Sequence, residues 1–77
     1  MKKVINQCSD IGILIRQKRK EDGLTLLDAA SLCGVGYRFL SEFENGKETA
    51  EIGKILKVLS GLGLELTISS RGRSDAE

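Results

Sequence analysis

Seventy-seven residues make one compact unit of about half a typical domain's length, which excludes a two-domain enzyme. No proline, nine glycines, three aromatic residues, 40% hydrophobic and 30% charged residues exclude a collagen, a disordered tail and a β-sandwich, and point to a mainly helical domain. A formal charge of +1 excludes a wholly electrostatic, histone-like binder of nucleic acid, yet the charge is polarised, at +5 over residues 1–20, −5 over 21–51 and +1 over 52–77.

The opening MKKVINQCSD has no apolar run of signal-peptide type, and no stretch approaches the ~20 apolar residues that cross a bilayer, so a cytoplasmic protein without membrane contact is expected. The first helix is predicted over Asp10 to Asp22, capped by Ser9 or Asp10 and ended by Gly23, with Ile11, Leu14 and Ile15 on one face. Thr25 and Asp28 resemble a capping box opening a second, short helix through Cys33, which Gly34 closes. Ala29 and Ala30 within it permit another helix to approach closely. After the Gly34-Val35-Gly36 turn, YRFLSEFENG reads as a third helix that buries Leu40 and Phe43 and ends at Asn45-Gly46.

A fourth helix is expected from about Ala50 to Leu62, with Ile52, Ile55, Leu56 and Leu59 as its core stripe. Val58 and Leu62 form a second stripe, either a further packing surface or the edge of a wide core face. Leu64 to Ser69 alternates apolar and polar in period two, the pattern of a half-buried strand. A lone strand leaves its backbone groups unpaired, so it must join the residues around Lys3 to Ile5 or its own copy in a second subunit. One domain over residues 1–69 and a flexible tail over 70–77 follow.

The two cysteines, Cys8 and Cys33, are not in C-x-x-C spacing and there is no histidine, so no metal and no cofactor is expected. No nucleophile–base set and no paired carboxylates emerge, so no catalytic residue is assigned and an enzyme is not expected. The informative segment is Gly23 to Lys47, which reads as a helix-turn-helix. Thr25 caps it, Ala30 sits where the helices cross, Gly34 makes the turn, Val35 plugs the core and Leu40 lies on the inner face.

The stretch RKEDGLT from Arg19 to Thr25, with AASLCGV and LSEFENGK, resembles the lambda Cro/repressor-type, or XRE-type, helix-turn-helix family over residues 10–62. The resemblance implies a lambda-repressor-like all-α domain of four to five helices, and of the two pairings open to the short C-terminal β-strand the one across a homodimer is expected. GYRFLSEFENGKETA, IGKILKVL and GLGLELTI are similar, more narrowly, to the HipB-type antitoxins of bacterial toxin–antitoxin operons. Members of that family are small homodimers that bind double-stranded operator DNA, repress their own operon and associate with a HipA-like kinase toxin; two such units related by a twofold axis would read a palindromic operator. The family's positions for an ion pair between the first helix and the end of the recognition helix fall on Arg19 and Glu44. Two departures stand out. Leu26 replaces the usual phosphate-gripping Gln, so that contact is either lost or replaced by main-chain N–H groups at the helix N-terminus, and Gly36 replaces the common Ser or Thr, which gives a weaker cap and a weaker phosphate contact.

A recognition helix presents its first outward residues to base edges, which selects Tyr37, Arg38 and Ser41, with Glu42 next. Arg38 can fork onto guanine O6 and N7, and Glu42 can accept from a cytosine amine. Arg16, Thr25, Leu26, Gly36 and Lys47 are expected at the DNA backbone, and Val58, Leu62, Leu64, Leu66 and Ile68 at the dimer interface. Two other readings share these residues: a stand-alone XRE-type repressor with no toxin, and a protein-binding adaptor that uses the acidic stretch from Glu42 to Glu51.

Overall fold

The computed structural model describes residues 3–70. Most of the tail expected over 70–77 therefore lies outside the described residues. Among the described residues four helices follow one another: α1 over Cys8–Glu21, α2 over Leu26–Cys33, α3 over Tyr37–Glu44 and α4 over Ile52–Gly61. α1 packs on α3, and α2 packs on both α3 and α4. The result is an all-α helix-turn-helix fold, and among the described residues no strand is formed.

Helix ends follow from local chemistry. The carboxylate of Asp10 accepts from Asn6 N at 2.9 Å and from Gln7 N at 3.2 Å, so Gln7 caps α1. The expected caps, Ser9 and Asp10, both lie inside the helix instead, because an acid three places on can reach back to the cap's own N–H. Two further N–H groups, of Cys8 and Ser9, donate to the Glu48 carboxylate at 3.0 and 3.1 Å. That acid sits at the positive end of the helix, where the dipole favours it, and it ties the α3–α4 connection to α1. At the other ends, Gly23, Gly34, Gly46 and Gly63 each take a positive φ, and the residue after each glycine donates its N–H back into the last turn.

The core places Ile15, Leu40, Phe43 and Val58 at full burial, with Ala29 beside them. Each large apolar side chain so removed from water contributes about 1.5–3 kcal/mol. Leu14, expected with Ile11 and Ile15 on the inner face of α1, is only half-buried. Two glycines let the helices touch. A Cβ on Gly12 would collide with the Phe43 carbonyl oxygen, and one on Gly61 would lie 2.6 Å from Cys33 Sγ. These two sites, together with Ala29 and Ala30, set the α1–α3 and α2–α4 approaches.

α4 corrects the expected register. Its buried stripe is Ile55, Val58 and Leu59, continued by Leu62, whereas Ile52 and Leu56 are 58% and 47% exposed. Val58 and Leu62, expected at a dimer interface, are spent inside the chain's own core. Beyond them Leu64 donates its N–H to Leu59 O at 2.8 Å and packs half-buried on the core, while Leu66 and Ile68 stand exposed. Among the described residues no backbone hydrogen bond joins residues 64–70 to residues 3–5, so the intrachain pairing considered for this segment is not formed.

Candidate nucleic-acid interface

α2 and α3 are held in a fixed crossing by the turn between them. Thr25 Oγ1 accepts from Asp28 N at 3.0 Å, which starts α2 and leaves the hydroxyl proton available to a phosphate oxygen. At the far end Gly34 adopts φ 73°, a conformation that costs a side-chain-bearing residue about 1–2 kcal/mol. Its N–H reaches Ser31 O at 3.3 Å, and the N–H of Val35 reaches Ala30 O at 3.1 Å. Gly36 then caps α3 without a side-chain bond, and Leu40 N closes the first turn onto Gly36 O at 3.1 Å.

The inner face of α3 carries Leu40, Phe43 and Glu44, all buried. Glu44 is there because Arg19 meets it. Arg19 Nε lies 2.7 Å from Oε2, and a second guanidinium nitrogen donates to Oε1 at 2.9 Å, while the third donates to the Leu24 carbonyl at 2.8 Å. This bidentate hydrogen bonding, reinforced by the carboxylate's charge and opposed by burial, raises the guanidinium's pKa still further. No buried side-chain nitrogen or oxygen among the described residues is left without a partner. The pair therefore fixes how α3 rolls against α1.

The outer face carries Tyr37, half exposed at 52%, Ser41, and Arg38 joined to Glu42. Arg38 Nε donates to Glu42 Oε2 at 3.2 Å, and Lys47 Nζ donates to Glu42 Oε1 at 3.0 Å. The Lys47 hydrogen bond first, and the Arg38 bond second, hold the Glu42 carboxyl below the ordinary carboxylate range. Arg38 otherwise projects into solvent, its side chain 90% exposed. Phe39 turns inward, its ring 5.8 Å from that of Phe43 and capped by Lys54 Nζ at 5.5 Å.

Of the residues expected at the DNA backbone, Arg16, Thr25, Gly36 and Lys47 are exposed. Leu26 is half-buried against the core. Sequence reasoning missed the shared engagement of Arg38 and Lys47 by Glu42, although the Arg38–Glu42 spacing of four on a helix was a readable signal. It also missed the anchoring role of Glu48, which no local pattern encodes. No group of histidine, cysteine or carboxylate side chains that could hold a metal occurs among the described residues, and none of their helices is long and apolar enough to cross a membrane.

A compact four-helix unit with a capped second helix, a glycine turn and an outward third helix defines the helix-turn-helix class. The family model described as Helix-turn-helix matches residues 15–68, and the chain belongs to that family, that of the HTH-type transcriptional regulators. Over 72 residues it is 46% identical to the uncharacterized HTH-type transcriptional regulator y4mF of Sinorhizobium fredii, covering 94% of this chain and 95% of that protein. Among solved structures, a HipB variant in complex with an O2 20mer superposes with a TM-score of 0.83 at 21% identity, covering 94% of this chain and all of that one. A HipB-O1-O2 complex gives 0.80 at 22% identity over 90% of this chain and all of that one. A protein described as MDT Protein gives 0.82 at 21% over 92% of this chain and all of that one. These likenesses show the shared fold.

Proposed function

We propose that the chain is an antitoxin and autorepressor of HipB type, which binds palindromic operator DNA as a homodimer and associates with a HipA-like kinase toxin. The observation that carries the DNA-binding part is the outer face of α3. Arg19 and Glu44 hold the helix at a set roll, which leaves Tyr37 and Arg38 exposed and Ser41 and Glu42 partly exposed. In this reading Arg38 forks onto a guanine, Tyr37 and Ser41 contact neighbouring base edges, and Glu42 accepts from a cytosine. Arg16, Lys47, the Thr25 hydroxyl and the main-chain N–H groups at Leu26 and Gly36 meet phosphates and set the register.

Pairing with a second copy is supported by the small size of the chain and by Leu66 and Ile68, apolar and exposed next to half-buried Leu64. Residues 64–69 of two copies would form one antiparallel ladder and place two α3 helices one duplex turn apart, about 34 Å. The antitoxin assignment is supported by the resemblance of GYRFLSEFENGKETA, IGKILKVL and GLGLELTI to the HipB type, and by the shared fold. The cytoplasm is the compartment this function requires.

A gel shift with the chain's own promoter, followed by co-purification with a kinase-like protein encoded beside it, tests both parts. A shifted palindromic site and a stable complex with that protein are expected. Failure to shift the promoter would contradict the DNA-binding part. A shift without any such complex would leave the second reading, a stand-alone repressor, which the description of the 46% identical relative as a transcriptional regulator favours.

A further inference from the structure

Residues 21–51, which contain the whole helix-turn-helix, carry two cations, Arg38 and Lys47, against seven carboxylates. Both cations are engaged by one acid. Glu42 gives Oε2 to Arg38 at 3.2 Å and Oε1 to Lys47 at 3.0 Å. A phosphate oxygen offers these cations the same kind of charge-assisted acceptor that Glu42 already supplies. Moving either one from the carboxylate to a phosphate gains little, and it brings the carboxylate's charge against the DNA. From this arrangement we infer that Glu42 is a specificity-determining residue, which withholds Arg38 and Lys47 from DNA of arbitrary sequence. Release becomes favourable at an operator, where guanine acceptors receive Arg38 and a cytosine amine donates to the carboxylate left behind. The device suits a protein whose charge is nearly balanced, because it subtracts from sequence-independent attraction and leaves base readout intact.

The inference rests on the DNA-binding reading, and the experiment separates the two. Full-length wild type, Glu42→Gln and Glu21→Gln are titrated by fluorescence anisotropy against an own-promoter duplex and a scrambled duplex of equal length, over a range of salt. Glu21→Gln removes the same formal charge from the end of α1. Glu42 lies on the surface, so its Gln variant is expected to fold, and a circular-dichroism melt checks this; Glu42→Ala is expected to behave alike. Each freed cation adds about 0.9 to the magnitude of the log–log salt slope. On the scrambled duplex Glu42→Gln should therefore bind roughly 10- to 60-fold more tightly per protomer near ~0.1 M salt, for one or two freed cations, with a slope steeper by about 0.9–1.8. Its preference for the promoter should shrink, while Glu21→Gln should match wild type.

An unchanged slope on the scrambled duplex, or an equal rise in Glu21→Gln, would overturn the inference. So would loss of promoter binding with scrambled binding unaltered, which would make Glu42 a base contact alone. If wild type bound neither duplex, the DNA-binding reading itself would fall, and this inference with it.

Discussion

Replacing Glu44 by alanine is the sharpest test of how α3 is held. In the folded chain Arg19 and Glu44 are 8% and 7% exposed, and two hydrogen bonds of 2.7 and 2.9 Å join them. Removing the carboxylate strands a guanidinium whose one remaining protein acceptor is the Leu24 carbonyl, at 2.8 Å. Breaking a buried pair from one side costs about 3–5 kcal/mol, which is a large part of the ~5–15 kcal/mol that stabilises a domain. For a chain of this size each 1 kcal/mol lowers Tm by about 4–8 °C. Glu44→Ala should therefore lower it by at least about 12 °C, or leave the chain unfolded at room temperature. Replacing both partners together by apolar residues of similar volume, Arg19→Met with Glu44→Leu, should recover most of the loss, since no buried charge then remains. Urea and thermal unfolding followed by helical circular dichroism supply the cycle. A loss below about 1 kcal/mol for Glu44→Ala is the behaviour of an exposed pair and would refute the reasoning.

Other outcomes follow from the same structure. Glu48→Ala removes the acceptor for Cys8 N and Ser9 N and should cost about 1 kcal/mol in urea unfolding, the usual scale of a lost N-terminal cap; an unchanged midpoint would contradict it. Gly61→Ala forces a Cβ to within 3.0 Å of Cys33 Cα and should destabilise by about 1–3 kcal/mol. Gly53→Ala meets nothing within 4 Å and should stabilise by about 0.4–1 kcal/mol, so like signs for the two alanine variants would count against the packing described. Glu42 should titrate, by carboxyl-carbon NMR, below the ordinary 4.5. Because its folded pKa is depressed, its ion pairs contribute fully above the unfolded value and are lost as pH falls through the folded one. An inflection at or above 4.5 would rule out the engagement of Lys47 and Arg38.

What could be read from the residues in order was the punctuation. Gly23, Gly34 and Gly46 end helices where the pattern asks for them, and Thr25 begins α2 by bonding Asp28 N, because capping and left-handed backbone are local matters. Partners distant in the chain were not legible this way. Glu48 meets α1 forty residues back, and Gly61 matters only because Cys33 happens to face it. The Arg19–Glu44 pair was anticipated through the family resemblance, since nothing in the spacing of two charged residues says that they meet. The register of α4 was misjudged because five apolar residues and Leu62 spread around more than one face. Only packing against α2 decides that Val58 goes inward and Leu56 outward. Residues 64–69 form no strand within the chain, and their proposed pairing with a second copy is not something that periodicity can supply.

The central claim is that two α3 helices read base edges in successive major grooves of one operator. Dimethyl sulfate protection tests it most directly, since the reagent attacks guanine N7 from the major groove. Protected guanines in two half-sites about 10 base pairs apart, exposed again in the Arg38→Ala variant, are predicted for the chain bound to its promoter. Full reactivity of those guanines in a complex that still forms would contradict the claim.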